Sequence, residues 1–334
     1  MQEVYFRHIQ IIAILFGCAF FSTVSQANNF PAKDSVLTLV GPFAAGGPTD
    51  RVARNLAKAL RKPLGGISVV VDNSAGAGGS IGANKVAKAN SDGYPLLLNH
   101  ISMSTMPTLV RNIPFKVESD FEYLGMISDV PMTLVGKPMM PASNYKALSA
   151  WINQNKGKIN LGNAGIGSAS HLCGLLFQNA IHVDMTTVPY KGTGPAMTDL
   201  IGGRNDLMCD QTTNTTSQIE AKKVKAYGVT TAKHLPTPAL KDISPLQESC
   251  LKGFEVTIWH RLYAPKGTPV VVQKKINDAL KLALKDPDFI RKQEGLGAVV
   301  VSAKRSDPVG HKKFVLAEIA KWGPIIKAAG VYAD

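Results

Sequence analysis

The run Val40-Gly41-Pro42-Phe43-Ala44-Ala45-Gly46-Gly47-Pro48-Thr49-Asp50 decides how this chain is read. A strand-like apolar segment, residues 36–40, enters it, and a helix-period segment, residues 50–60, leaves it. Val52, Ala53, Leu56 and Leu60 give that second segment one apolar stripe, and Asp50 and Arg54 stand at the i,i+4 spacing of a favourable charge pair. A glycine-rich strand-to-helix turn presents unpaired backbone N–H groups at a helix start, where the macrodipole favours negative charge. Glycine also lets that backbone approach a guest closely. A carboxylate or phosphate is the natural ligand of such a turn.

The pattern returns in Leu161-Gly162-Asn163-Ala164-Gly165-Ile166-Gly167-Ser168-Ala169-Ser170-His171, which opens a helix over 168–180 with Leu172, Leu175 and Leu176 on one face. Many strand-to-helix loops carry glycine merely to turn. Two such turns, about 120 residues apart, fit a cleft gripped from both sides, since ligands of open α/β sheets sit beyond the carboxyl ends of strands. Further strands are expected at 67–71, 95–99, 121–127, 132–135, 158–161, 186–189, 206–209, 225–229 and 254–263. Helices fit between them, including 272–284 with Ile276, Leu280 and Leu284 in line and Pro287 beyond its end. This alternation predicts an α/β fold with largely parallel sheets. A chain of 334 residues, 45% hydrophobic, has room for two domains and a sizeable core.

Arg7 and His8 precede an apolar run over 9–21, and Ser25-Gln26-Ala27 follows in the small-x-small pattern of a signal-peptidase site. The run is shorter than the roughly 20 residues of a spanning helix. A cleaved signal peptide over 1–27 and a periplasmic location are expected. A buried first helix and a lipid anchor at Cys18 are the alternatives, and bulky Phe16 argues against the anchor. Cys173, Cys209 and Cys250 then remain in a compartment that permits disulfides. Cys173 falls in a predicted helix and Cys209 in a strand that can lie under it, so these two are the expected pair. The balance of 37 Lys+Arg against 24 Asp+Glu, a formal +13, suits nucleic acid, an anionic surface or acidic small ligands. The bases are scattered, with Lys222-Lys223-Lys225 and Lys304-Arg305 the densest sets, and no arginine-rich arm accompanies them. Nucleic acid is therefore not an expected partner. No zinc-ligand spacing occurs, and no metal or cofactor is expected.

Two enzyme readings meet the same residues. Gly78-Gly79-Ser80-Ile81-Gly82 matches the G-x-S-x-G nucleophile elbow, but Ser80 stands well beyond the preceding strand, and the late histidine it needs would be His311, inside a lysine-flanked helix. A dinucleotide loop would need tighter spacing than Gly76-x-Gly78-x-x-x-Gly82 and an acidic residue where Asn99-His100 stand. The chain is read as a binding protein, with no catalytic residue.

The quoted opening run, with Asp72-Asn73-Ser74-Ala75-Gly76-Ala77-Gly78-Gly79-Ser80-Ile81-Gly82, resembles the Bug-type receptors of tripartite tricarboxylate transporters. So do Asn163 to Leu172, Val188-Pro189-Tyr190-Lys191-Gly192, Asp199-Leu200-Ile201-Gly202-Gly203, and Trp259 with Ala264-Pro265-Lys266-Gly267-Thr268-Pro269. These motifs span nearly the whole chain in the family's order. The resemblance implies a type II periplasmic-binding-protein fold: lobe 1 from 28–128 plus 260–334, lobe 2 from 129–259, two crossover segments, and a ligand cleft between. It also implies that the two glycine-rich turns act as pincers on a carboxylate. The expected ligand-binding residues are Phe43, Ala44, Ala45, Gly46, Gly47, Thr49 and Asp50 in one pincer. Gly165, Gly167, Ser168, Ala169, Ser170 and His171 form the other, and Asn99, Asp210 and Trp259 lie nearby. Ser168 and Ser170 offer hydroxyl donors. Asp50 is expected to cap its helix and orient the turn. His171 is either a ligand donor or a helix-start residue.

The chain departs from the family pattern at Arg261, where many members carry glycine after the tryptophan. Arg261 either reaches a second ligand carboxylate or points to solvent at the hinge. Asn99-His100 and Asp210-Gln211-Thr212 also replace commoner choices. The implied role is a monomeric solute-binding receptor that closes on a small organic acid and presents it to transporter membrane subunits. A ligand-sensing protein that feeds a membrane sensor kinase is the alternative.

Overall fold

The computed structural model describes residues 29–249, 251–330 and 332, so the expected signal segment and Cys250 lie outside the described residues. The first half of the chain lays down β1 (Val36–Gly41), α1 (Pro48–Arg61), β2 (Ser68–Asn73), α2 (Ser80–Ala87), β3 (Pro95–Asn99) and α3 (Ser102–Leu109). A long strand, β4 (Phe121–Gly136), leads into α4 (Tyr145–Gln154), β5 (Asn160–Asn163), α5 (Ala169–Ile181) and β6 (Thr186–Pro189). After these come α6 (Thr193–Ile201), β7 (Leu207–Gln211), α7 (Thr212–Glu220) and β8 (Lys225–Val229). The chain returns through β9 (Thr257–Pro265) to α8 (Val270–Ala283), α9 (Pro287–Glu294), β10 (Val299–Val300) and α10 (Pro308–Ala329).

The strand order is β2-β1-β3-β9-β4-β7-β5-β6, with β8 and β10 also paired to β4. The expected parallel pairs exist, β1 with β2 and β3, and β5 with β6 and β7. The strands that join the halves are antiparallel to their neighbours, because the chain leaves on β4 and comes back on β9. The expected break between residues 127 and 132 is absent, and β4 runs unbroken for 16 residues. Pro131, which has no N–H to give, stands where β4 passes from its last pairing with β9 to its first with β7, so the ladder tolerates it.

Each half has its own packing logic. Val52, Leu56 and Leu60 on α1 bury the predicted stripe in one cluster with Leu37, Leu39, Leu96, Leu98, Ile276 and Leu280. Pro48 sits at the helix start, where its missing N–H costs nothing, and Lys58 and Arg61 face the negative end. In the other half Leu172, Cys173 and Phe177 of α5 pack with Leu161 and Cys209. The pair expected from the sequence is present: Cys173 and Cys209 form a disulfide, Cα atoms 5.8 Å apart, that staples α5 to β7. Its sulfurs close a loop of 36 residues in sequence separation. Reduction should therefore lower the unfolding free energy by roughly 2–4 kcal/mol through the freed denatured chain. Urea titrations with and without reductant would read this as a lower midpoint, with a steeper slope because the reduced denatured chain exposes more surface.

Candidate functional site

The loops that follow β1, β3, β5, β6 and β7 meet around one narrow cavity with about 10 Å³ of water-accessible space. Phe43, Pro48 and Thr49 line it after β1, and His100 after β3. Ala164, Ser168, Ala169 and Ser170 come from the loop after β5, Thr193 from that after β6, and Gln211 from the end of β7. Four helices start there. Their N-caps are Gly47 for α1, Ser168 for α5, Gly192 for α6 and Gln211 for α7. The first N–H groups of a helix have no partner within it, so each start adds unpaired donors and a partial positive charge. None of the lining residues is lysine or arginine. The positive potential of this cavity is supplied by backbone.

Side chains hold the two predicted turns in shape. Asp50 Oδ2 accepts the Gly46 N–H at 2.9 Å and the Arg54 Nε at 2.9 Å, and Asn73 Nδ2 donates to the Phe43 carbonyl at 3.2 Å. Burial raises the Asp50 carboxyl, but Arg54, Gly46 and Asn73 outweigh it and keep the group below the usual range. Asp50 thus orients its turn as an anion. In the second turn Ser168 Oγ accepts the His171 N–H at 3.3 Å, and Ser170 Oγ accepts the Ala164 N–H at 2.8 Å. His171 Nδ1 accepts the Gly167 N–H at 3.3 Å, and burial drives its pKa down to about 4, so a neutral ring braces the loop. His100 stacks on Phe43 at 4.7 Å and meets the edge of His260 at 5.7 Å. Burial, then the neighbouring His260, holds His100 neutral, and its Nδ1 accepts the Ser102 N–H at 3.2 Å. The Nε2 proton of His100 is left as a donor.

The structure sorts the expected residues. Phe43, Thr49, Ser168, Ala169 and Ser170 lie on the cavity wall, while Asp50 and His171 shape the turns behind it. Ala44, Ala45, Gly46, Gly47, Gly165 and Gly167 belong to those turns without lining the cavity. Asn99 spends its Oδ1 on the His100 N–H and the Ser102 hydroxyl. Asp210 is fully buried and accepts from Asn214 Nδ2 at 2.6 Å; the nearby Gln211 amide and Thr193 side chain, both of wall residues, pull its pKa down. Trp259 is 3% exposed and meets Phe314 of α10 edge-on at 5.4 Å, away from the cavity. The solvent-facing option for Arg261 is wrong: the residue is completely buried. Sequence reasoning singled out His100 and Gln211 only as departures from the family pattern, and it missed Thr193 as a contact. Gly192, in the same strand-to-helix position as the predicted glycines, was the available signal for Thr193.

The halves touch along a seam at the cavity. The Ala44 N–H donates to the Lys191 carbonyl at 3.1 Å, and Thr105 Oγ1 donates to the Gly167 carbonyl at 2.9 Å. Gly78 has φ +61°, and a Cβ there would stand 2.0 Å from the Ile166 carbonyl oxygen. Only glycine fits that approach.

Two α/β halves joined by β4 and β9, with helix starts aimed at the seam between them, make this a periplasmic-binding-protein fold. Residues 52–331 match the family model described as tripartite tricarboxylate transporter family receptor. The chain belongs to that family of periplasmic solute-binding proteins. It is 45% identical over 322 residues to an Agrobacterium vitis protein described as lying in the TAR-I ttuE-ttuC' intergenic region, covering 96% of this chain and 92% of the relative. The solved periplasmic binding protein BugD superposes with a TM-score of 0.86 at 47% identity, over 90% of this chain and 99% of that one. MatC from Rhodopseudomonas palustris with bound malate gives 0.84 at 33% identity, over 89% and 100%.

Asp210 generates a pH prediction. Burial pushes its carboxyl up to about 7, with Asn214, the Gln211 amide and Thr193 pulling it back. The folded state therefore holds a proton that the unfolded chain, near 3.8, has lost, so this group's stabilisation is complete at low pH and disappears as pH rises through 7. His171 and His260, lowered by burial to about 4 and about 3, act in the opposite sense below pH ~6.5, so the test must be a difference. Relative to wild type, Asp210→Asn should gain stability steadily from pH 4 to 8 in denaturant titrations.

Proposed function

We propose that this protein is a periplasmic receptor that closes two lobes on a small carboxylate and presents it to the membrane subunits of a tripartite tricarboxylate-type transporter. The lobes are residues 28–128 with 260–334, and residues 129–259. Ser128 pairs with His260 and Asp129 with Trp259, so both proposed boundaries fall at one level of the β4–β9 ribbon. The observation that carries the reading is the meeting of four helix N-termini on a cavity without a lysine or arginine in its wall. A carboxylate placed there takes N–H bonds from Thr49, from Ala169 and Ser170 and from Thr193, and it faces partial positive charge from both lobes. Those groups bind and orient; the proposed role is capture without turnover.

The MatC structure holds malate, and a hydroxy dicarboxylate of that kind is the first ligand class to test here. The neutral His100 Nε2–H and the Gln211 side chain stand ready for a second polar group.

Thermal-shift screening of the protein without its first 27 residues against a carboxylate library should find dicarboxylates or hydroxy acids raising the midpoint. A library in which no acid shifts the midpoint would remove the proposal. Closure itself is tested by Gly78→Ala, whose Cβ collides with the Ile166 carbonyl. Affinity by calorimetry should fall about tenfold or more, 1.4 kcal/mol per decade, while circular dichroism stays native.

A further inference from the structure

Arg261 is the largest fully buried side chain of the structure, and no hydrogen-bond partner for its Nε, Nη1 or Nη2 is present among the described residues. An isolated buried charge is costly, and the penalty is several kcal/mol even after relaxation. Aromatic rings offset part of it. The guanidinium carbon lies 4.5 Å from the Trp259 ring centroid and 4.1 Å from that of Phe314. The two ring centroids are only 5.4 Å apart, so both rings lie toward one side of the guanidinium and offer its N–H bonds no lone-pair acceptor.

The neighbours have the same unmet need. Trp259, Arg261 and Tyr263 alternate onto one face of β9, and Asn99 is the cross-strand partner of Arg261. Trp259 Nε1, Tyr263 Oη and Asn99 Nδ2 are all buried without partners. His311 of α10 packs on Tyr263 at 4.7 Å between ring centroids. Its Nδ1 accepts the Gly125 N–H at 3.1 Å, so the neutral ring carries its proton on Nε2, which is also buried and unpaired. Every unmet group in this set can donate, and apart from the Tyr263 oxygen none offers a lone pair. The nearest carboxylates are engaged elsewhere: Asp129 with Arg305, and Glu318 with the Trp322 Nε1–H at 2.8 Å.

We infer that Arg261, Tyr263 and His311, with Asn99 and Trp259 around them, form an internal binding site for a small inorganic anion of chloride size. It is separate from the carboxylate cavity. His260, adjacent to Arg261 but on the opposite face of β9, is the residue that touches His100 of the cavity wall. A monovalent anion there neutralises the guanidinium and accepts from donors of β3, β9 and α10 together, tying the last helix to a strand that joins the two halves. The nearby Glu318 and Asp129 do not replace it, because each already carries a cation or an N–H of its own.

Bromide reports such a site directly. Crystals grown after prolonged dialysis into sodium bromide should show an anomalous peak within about 3.5 Å of the Arg261 guanidinium, the reach of a hydrogen bond to a halide. Water density there with no anomalous signal would overturn the assignment. In solution, exchanging gluconate for chloride at constant ionic strength should raise the wild-type thermal midpoint. Arg261→Met should lose that response, and Tyr263→Phe, which removes one donor and no charge, should weaken the apparent halide affinity at least threefold. Equal responses in wild type and both variants would assign the effect to the surface and sink the proposal. The bromide experiment uses wild-type protein and stands even if Arg261→Met does not fold.

Discussion

An α-helix cannot satisfy its own first N–H groups, and this protein arranges its secondary structure around that deficit. Four helices begin at the wall of one small cavity, two from turns readable as glycine-rich pincers and two from β6–α6 and β7–α7. Their unpaired amides make a buried cavity electropositive without a side-chain cation. A lysine or arginine there would have to be desolvated and would bring a long flexible stem. Amide dipoles fixed by a helix need neither. The supporting residues follow from this choice. Asp50, Asn73, Asn163, Ser168, Ser170 and His171 spend their hydrogen bonds on the turns, keeping the donors aimed.

Ionisable groups near the cavity are governed by burial. His100, His171 and His260 are held neutral and Asp210 is raised, so the charges that burial would penalise are largely removed. Asp50 is the exception, kept ionised by Arg54 and the Gly46 amide. Arg261, lowered by burial only to about 10, keeps its charge across the physiological range. That retained charge sets it apart from the histidines around it.

Much of this was legible in the sequence, and the parts that were not have physical causes. Strand and helix positions followed from periodicity, and Cys173 and Cys209 paired as their elements suggested. Residues 67–71 ran on to Asn73 as β2, and residues 272–284 began two residues earlier as α8, because element ends depend on caps and neighbours more than on pattern. The gap expected between residues 127 and 132 contains Pro131, a residue that no isolated strand favours. Only the handover between two partner strands shows why it is tolerated. Arg261 read as either a ligand contact or a solvent-facing hinge residue. Nothing in its local sequence says that Trp259 and Phe314, more than fifty positions apart, both pack against it. A wall residue such as Thr193 announces itself only when several loops are seen together.

The connection between the halves is also an element of mechanics. β4 and β9 are bonded to one another along Phe121 to Pro131, through the level where the chain changes sides. Two loose linkers would let the halves wander in every direction. A laddered pair resists shear, since sliding one strand along the other breaks many hydrogen bonds at once, yet it flexes across its thin dimension at little cost. For the closure proposed above, the joint would serve as a leaf spring that leaves close to a single coordinate of motion.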